Sequence, residues 1–210
     1  MARRTKEEAA ETREQVLDAA ERVFLERGVG HASLAEVADA AGVTRGAIYH
    51  HFASKAELFG AMVARAEMPL DAAFDVARLP VADPLGAVRE TAVKALLHLT
   101  SCDRVRNIFE VAFLRCEYTD ELAPVEQRHL QEREHCLGFC GSLLEQAVAR
   151  GQLPEDTDTR LASHLLYALI GGLMRDWVQA PASFDLKAAA PQLVDLFLAG
   201  LRAAPPRKTA

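Results

Sequence analysis

Residues 33–55 read SLAEVADAAGVTRGAIYHHFASK, and the spacing predicts two short helices held at a fixed angle by their own side chains. Ser33 with Glu36 three residues on makes a capping-box pattern, so a helix starts there with Leu34, Val37, Ala38 and Ala41 on its apolar face. Gly42 ends it, because the residue past a helix end commonly takes the left-handed conformation, which glycine adopts without steric cost. Thr44 can cap the next helix, whose buried side is Ala47 and Ile48, with Phe52 closing the small core. Ala38 fits the same picture: two helices joined by so short a turn nearly touch, and a larger side chain at the crossing would hold them apart. What is left facing outward on the second helix is Arg45, Gly46, Tyr49 and His50. That set of donors beside a bare stretch of backbone suits phosphates and base edges.

The block TRGAIYHHF followed by SKAELF resembles the N-terminal domain of the TetR family of repressors, and the opening MARRTKEEAAETREQVLDAAERVF is similar to that domain's first helix. Within the family, the MARRTKEE start, the RCEY segment at Arg115 to Tyr118 and GLMRDWVQAPASFDL from Gly172 to Leu186 resemble the multidrug-efflux repressors of the AcrR and TtgR kind. The resemblance thus spans almost the whole chain. It implies DNA contacts at Thr44, Arg45, Gly46, Tyr49, His50 and Lys55. Lys55, at the first turn of the following helix, is expected to meet a phosphate.

Composition sets bounds around this expectation. The chain has 210 residues, of which 50% are hydrophobic, enough for an ample core in one large or two small domains. No apolar run approaches the ~20 residues that span a bilayer, and the charged start lacks the hydrophobic region of a signal peptide. A cytoplasmic protein with no membrane partner is expected. Cys102, Cys116, Cys136 and Cys140 form no CxxC pair and read as free thiols in a reducing compartment. The formal net charge of −6 has the wrong sign for generic nucleic-acid affinity. Placement counts for more: Arg3, Arg4 and Lys6 sit on an N-terminal arm, while Arg45 and Lys55 bracket the outward helix. Few, well-placed contacts in a dimer are expected, with acidic residues elsewhere suppressing indiscriminate binding.

Along the chain the reading is all-α, with breaks where Gly, Pro or Asp cluster and no strand-like alternation. The first helix carries Val16, Ala19, Ala20, Val23 and Phe24 on one face and stops at Gly28. Ser54 and Glu57 make another capping-box pattern, opening a long helix through Leu58, Phe59, Met62 and Val63 that Pro69 interrupts or kinks. Asp83 and Pro84 start the next, and further helices are expected near residues 85–100, 104–117, 122–149, 159–179 and 186–201. This gives a three-helix, helix-turn-helix DNA-binding domain over 1–53, a helical ligand-binding and dimerisation domain over 54–202 and a disordered tail over 203–210.

Partners are read from the later helices. LLYALIGGLM, Leu165 to Met174, has no charged residue, so it is covered on more than one side, either inside a monomer or against a second copy. Gly171 and Gly172 allow close approach, and Leu193, Leu196, Phe197 and Gly200 add an apolar face on the last helix. In the resembling family these two helices form a four-helix dimer interface, and such DNA-reading modules usually act on two half-sites. A homodimer is expected. Phe109, Ala112, Phe113 and Cys116 make an apolar stripe with Glu110 and Glu117 beside it, a pattern that is core in most helices. The resemblance implies ligand-binding roles for Glu67, Arg106, Phe113 and Trp177, facing a hydrophobic or cationic drug-like inducer.

No catalytic residues, metal or cofactor are expected. His129, His135, Cys136 and Cys140 lack the spacing of a closed zinc site, and a redox role for the thiols would need a depressed pKa. No nucleophile elbow, glycine-rich phosphate loop or HExxH motif is present, which disfavours a helical enzyme or carrier. The resemblance implies a dimeric repressor of a multidrug efflux operon that binds a palindromic operator. Its alternative is a regulator of the same family answering a lipid, metabolite or signal molecule. In either case an inducer would act by stabilising a spacing of the two DNA-reading helices that no longer fits, with the helix after Ser54 as lever.

Overall fold

The computed structural model describes residues 6–66, 81–117 and 119–208. Among these residues the chain forms α1 (Lys6–Arg27), α2 (Leu34–Ala41), α3 (Arg45–His51), α4 (Lys55–Ala64), α5 (Pro84–His98), α6 (Asp103–Leu114), a short 3-10 turn (Asp120–Leu122), α7 (Ala123–Ala149), α8 (Thr159–Gln179) and α9 (Leu186–Ala203). The all-α expectation holds, and helix ends fall close to the positions their capping residues predict. The expected break at Pro69 lies outside the described residues.

The chain divides into two compact units, Met1–Glu67 with Arg104–His129 and Met68–Asp103 with Leu130–Ala210. In the first, α1 supplies Val16, Leu17, Ala20 and Phe24 to a core that also takes Val37 and Ala38 from α2, Ile48 and Phe52 from α3, and Leu58, Phe59 and Met62 from α4. Burying one such large side chain contributes about 2–3 kcal/mol. Phe24 and Phe59 meet edge to face, their ring centroids 6.0 Å apart. Ile108 and Val111 of α6 and Leu122 enter the same core. For that reason the division expected after residue 53 falls inside a single packing unit: α4 and α6 complete a core that α1 to α3 cannot close.

Polar contacts tie α4 and α6 to α1. Asp18 Oδ1 accepts from Arg65 Nη2 at 2.6 Å and from Arg104 Nη2 at 3.1 Å, and Glu21 Oε1 accepts from Asn107 Nδ2 at 2.9 Å. Gly28, at φ 79°, ends α1 where its neighbour Val29 donates to the Arg115 carbonyl at 2.9 Å. A Cβ on Gly28 would stand 3.2 Å from that oxygen, so both backbone conformation and space call for glycine.

In the second unit α5 and α8 pack against α9, and Arg89 holds Asp195 through two hydrogen bonds of 2.6 and 2.9 Å. Asp83 caps α5 by accepting from Gly86 N–H at 3.0 Å, and Gln152 Nε2 donates to the same oxygen at 2.8 Å. Those bonds, Gln152 first, hold the Asp83 carboxyl below the usual aspartate range. The tail corrects the expectation of disorder. Asp158 N–H donates to the Pro206 carbonyl at 2.8 Å, Lys208 N–H to the Asp156 carbonyl at 2.9 Å, and Arg207 pairs with Asp156. Polar composition suggested a loose end, but this backbone pairing anchors it through Lys208, and Pro205 is buried.

Candidate nucleic-acid interface

The recognition helix owes its placement to a chain of local bonds. Glu36 N–H donates to Ser33 Oγ at 3.2 Å while Ser33 N–H donates to the Glu36 carboxylate at 2.9 Å, the reciprocal box expected from sequence. Those hydrogen bonds, the Ser33 hydroxyl first, keep the Glu36 carboxyl below its ordinary value, and Arg27 adds an ion pair at 2.6 Å. Gly42 closes α2 at φ 68°, and Val43 N–H then reaches back to the Ala38 carbonyl at 3.0 Å. Arg22 of α1 adds a strut, its Nη2 donating to the Ala40 carbonyl at 3.1 Å. Thr44 accepts from Ala47 N–H at 3.2 Å and starts α3. Ser54 likewise caps α4, while the Glu57 carboxylate accepts from Ala53 N–H at 2.8 Å.

Buried Ile48 and Phe52 fix which way α3 faces. Thr44, Arg45, Gly46, Tyr49 and His50 are then all exposed, five of the six expected DNA-contacting positions on one short stretch. Tyr49 is a large aromatic left in water at the tip of the unit's own core, and the His50 and His51 rings stand 5.3 Å apart, edge to face. The face offers a guanidinium, a phenol, an imidazole and open backbone at Gly46. Such groups donate to phosphate oxygens and base edges.

Lys55 is the sixth position, and here the structure corrects the sequence reading. Its side chain turns inward: the residue is 8% exposed, and Nζ donates to the carbonyls of Ala32 at 3.1 Å and Gly30 at 3.3 Å and pairs with Glu121 at 3.0 Å. The carbonyls that end the α1–α2 turn need donors, and this ammonium supplies them, so it is not presented to a phosphate. Lys55→Ala is therefore expected to lower stability by about 2 kcal/mol, the scale of hydrogen bonds to a charged group. For a chain of this size that is a fall of roughly 4–8 °C in melting temperature. The salt dependence of DNA binding should stay at the parental slope, and a shallower slope with unchanged melting would return Lys55 to the interface.

The expected ligand-contacting residues lie apart in the chain's organisation. Arg106 and Phe113 are on α6 in the first unit, Trp177 is on α8 in the second, and Glu67 lies outside the described residues. The Phe113 and Phe109 rings meet at a tilt, their centroids 5.4 Å apart. Among the described residues no three His, Cys, Asp or Glu side chains are grouped to hold a metal. Burial pushes the Cys140 thiol up to about 12, with nearby Cys136 adding to it, and burial also raises Cys116. Neither is poised as a thiolate.

The second unit leaves an apolar face uncovered. Leu161, Leu165 and Leu196 are 54%, 56% and 71% exposed, and Ala168, Gly172 and Gly200 join them in solvent. A helix buried wholly within a monomer is thereby excluded, since Leu165 at the start of the uncharged run and Ala168 and Gly172 within it are all exposed. Residues 161, 165, 168 and 172 recur at four- and three-residue steps, one stripe of α8. On a monomer such a stripe would be costly, and a second copy of α8 and α9 would cover it.

The sequence missed the network of Glu14, Asp18 and Glu21. Their one-turn spacing on α1 was visible as an acidic face, but Arg65, Arg104 and Asn107 arrive from 47 to 86 residues away.

Comparison with known proteins gives a consistent picture. Residues 16–62 match the family model for bacterial regulatory proteins of the tetR family, and residues 83–203 match the C-terminal region of MAATS-type transcriptional repressors. The transcriptional regulator TtgR of Pseudomonas putida is 40% identical over 98% of both chains. The transcriptional repressor BepR of Brucella suis is 39% identical over 96% of this chain and 97% of its own. Among solved structures, NalD, the secondary repressor of the MexAB-OprM multidrug efflux pump in Pseudomonas aeruginosa, superposes with a TM-score of 0.82 at 35% identity, covering 91% of this chain and 95% of that one.

Proposed function

The chain belongs to the TetR family of bacterial regulatory proteins, and from that membership we propose that it is a drug-responsive repressor of a multidrug efflux operon. It binds a palindromic operator as a homodimer, with one α3 in each of two successive major grooves, and drug-like inducers release it. It works by binding alone, without a covalent step, and acts in the cytoplasm. No helix among the described residues is long and apolar enough to cross a membrane.

The observation that carries this reading is the pairing of two faces: a donor-rich α3 surface and an uncovered leucine stripe on α8 and α9. One half-site gives few contacts on an acidic protein. Two, joined through the stripe, multiply the affinity without generic attraction. Relatives such as NalD support the efflux assignment.

For the inducer, Glu67, Arg106, Phe113 and Trp177 remain the ligand-contacting set we propose. A carboxylate at Glu67 would give a cationic drug a charge-assisted contact. Such a contact drives release only if it is stronger in the conformation that does not bind DNA, because equal affinity for both states shifts nothing. Glu67→Gln is accordingly expected to weaken a lipophilic cationic dye in calorimetric titration while operator affinity without dye stays near parental. Equal dye affinity in variant and parent would remove Glu67 from the site.

A further inference from the structure

With Lys55 turned inward, the basic residues of α1 and the end of α4 differ in how far they are committed to the fold. Arg22 is bonded to the Ala40 and Asp18 carbonyls, Arg27 to Glu36, and Arg65, with its side chain 12% exposed, to Asp18 and Glu14. Each of these guanidiniums is occupied in holding the fold. Arg13 is different. Its guanidinium carbon stands 5.1 Å from the centroid of the Phe52 ring, and its side chain is 44% exposed.

Phe52 is the residue that ends α3, its N–H donating to the Ile48 carbonyl at 2.9 Å. The His51 ring lies 6.4 Å from the Phe52 ring and 5.3 Å from the His50 ring. Arg13 is therefore held against the residue that ends the recognition helix, and Phe52 is linked through the His51 ring to His50 of the DNA-facing set. Stacking on an aromatic face leaves the N–H groups at the guanidinium's edge free to donate, in the fork geometry that suits phosphate oxygens. Its ion-pair partner is the adjacent Glu14, at 3.7 Å with a 55% exposed side chain, and a pair so solvated holds the charge only weakly.

We propose that Arg13, held against Phe52, is a backbone-phosphate contact of the DNA-reading unit and fills the role expected of Lys55. The inference rests on the DNA-binding function above. Because a phosphate contact is blind to sequence, it can be tested on a duplex of arbitrary sequence by fluorescence anisotropy between 50 and 200 mM salt. Each neutralised phosphate adds about 0.9 to the slope of log affinity against log salt, so removing one per half-site should make the slope shallower by about 1.8 for the dimer. Arg13→Met keeps an apolar cover on Phe52 while removing the charge, and Arg13→Gln is a second neutral variant should methionine disturb the fold. Both should show the shallower slope, and Arg13→Lys should restore it.

Operator affinity and affinity for the arbitrary duplex should fall in parallel. A neutral variant with the parental slope would overturn the proposal even if its affinity dropped, because Arg13 would then be only a packing partner of Phe52. Failure of the lysine variant to restore the slope would also overturn it. A parent protein that binds neither duplex would instead overturn the DNA-binding function itself.

Discussion

Gly172→Arg is expected to turn the dimer into monomers and to reduce operator binding by about three orders of magnitude, with the fold of each chain intact. A Cβ built on Gly172 meets nothing within 4 Å, so the substitution leaves the packing of its own chain undisturbed. Replacing a helical glycine even adds about 1 kcal/mol of helix propensity. Against a second copy the outcome reverses. Gly172 continues the stripe of Leu161, Leu165 and Ala168, and on a twofold interface each copy would bring an arginine into an apolar contact. Burying an uncompensated charge costs about 3–5 kcal/mol, and a factor of 10³ in equilibrium corresponds to about 4 kcal/mol. Sedimentation velocity should show monomers, and thermal melting of the monomer should stay cooperative. A variant that sediments as the parental dimer and binds operator normally would place the interface elsewhere.

Arg45→Ala carries the second large effect. Arg45 is exposed at the first turn of α3, beyond the Thr44 cap, while Ile48 and Phe52 fix the helix from its other side. Truncating it therefore removes a donor without moving the scaffold. A guanidinium at the start of a recognition helix reads base edges through two parallel hydrogen bonds, worth about 1–3 kcal/mol per half-site. For a dimer on a palindrome that amounts to roughly 2–6 kcal/mol, and the loss should fall on operator rather than on arbitrary sequence. The ratio of the two affinities at fixed salt is the readout. An unchanged ratio would mean that Arg45 contacts only the backbone, as Arg13 is proposed to do.

The features legible from sequence were those whose causes are close in the chain. Ser33 and Glu36, Gly42, and Thr44 with Ala47 act across three or four residues, and the structure places each as its chemistry dictates. The outward set on α3 followed because Ile48 and Phe52 could be assigned to the core from periodicity alone. Lys55 was misread because the groups that draw it inward, the carbonyls of Gly30 and Ala32 and the carboxylate of Glu121, lie far away in sequence. The same distance effect hid the reach of the first unit, since Ile108 and Val111 join its core from α6. An uncharged run such as Leu165 to Met174 fits both an internal helix and an interface helix. Only the exposure of Leu165 separates them. The tail looked disordered because composition cannot register a backbone pairing such as Lys208 with Asp156.

The central claim is that a dimer reads a palindrome and that a drug weakens that reading. It is tested most directly by fluorescence anisotropy at fixed salt on a candidate palindromic duplex taken from the DNA flanking the protein's gene and on a scrambled duplex, each with and without a saturating lipophilic cationic dye. The expected result is preference for the palindrome and a 5- to 150-fold weakening by dye, matching the roughly 1–3 kcal/mol of coupling usual between allosteric sites. Equal affinity for the palindromic and scrambled duplexes, or a palindrome affinity that no concentration of dye alters, would contradict it.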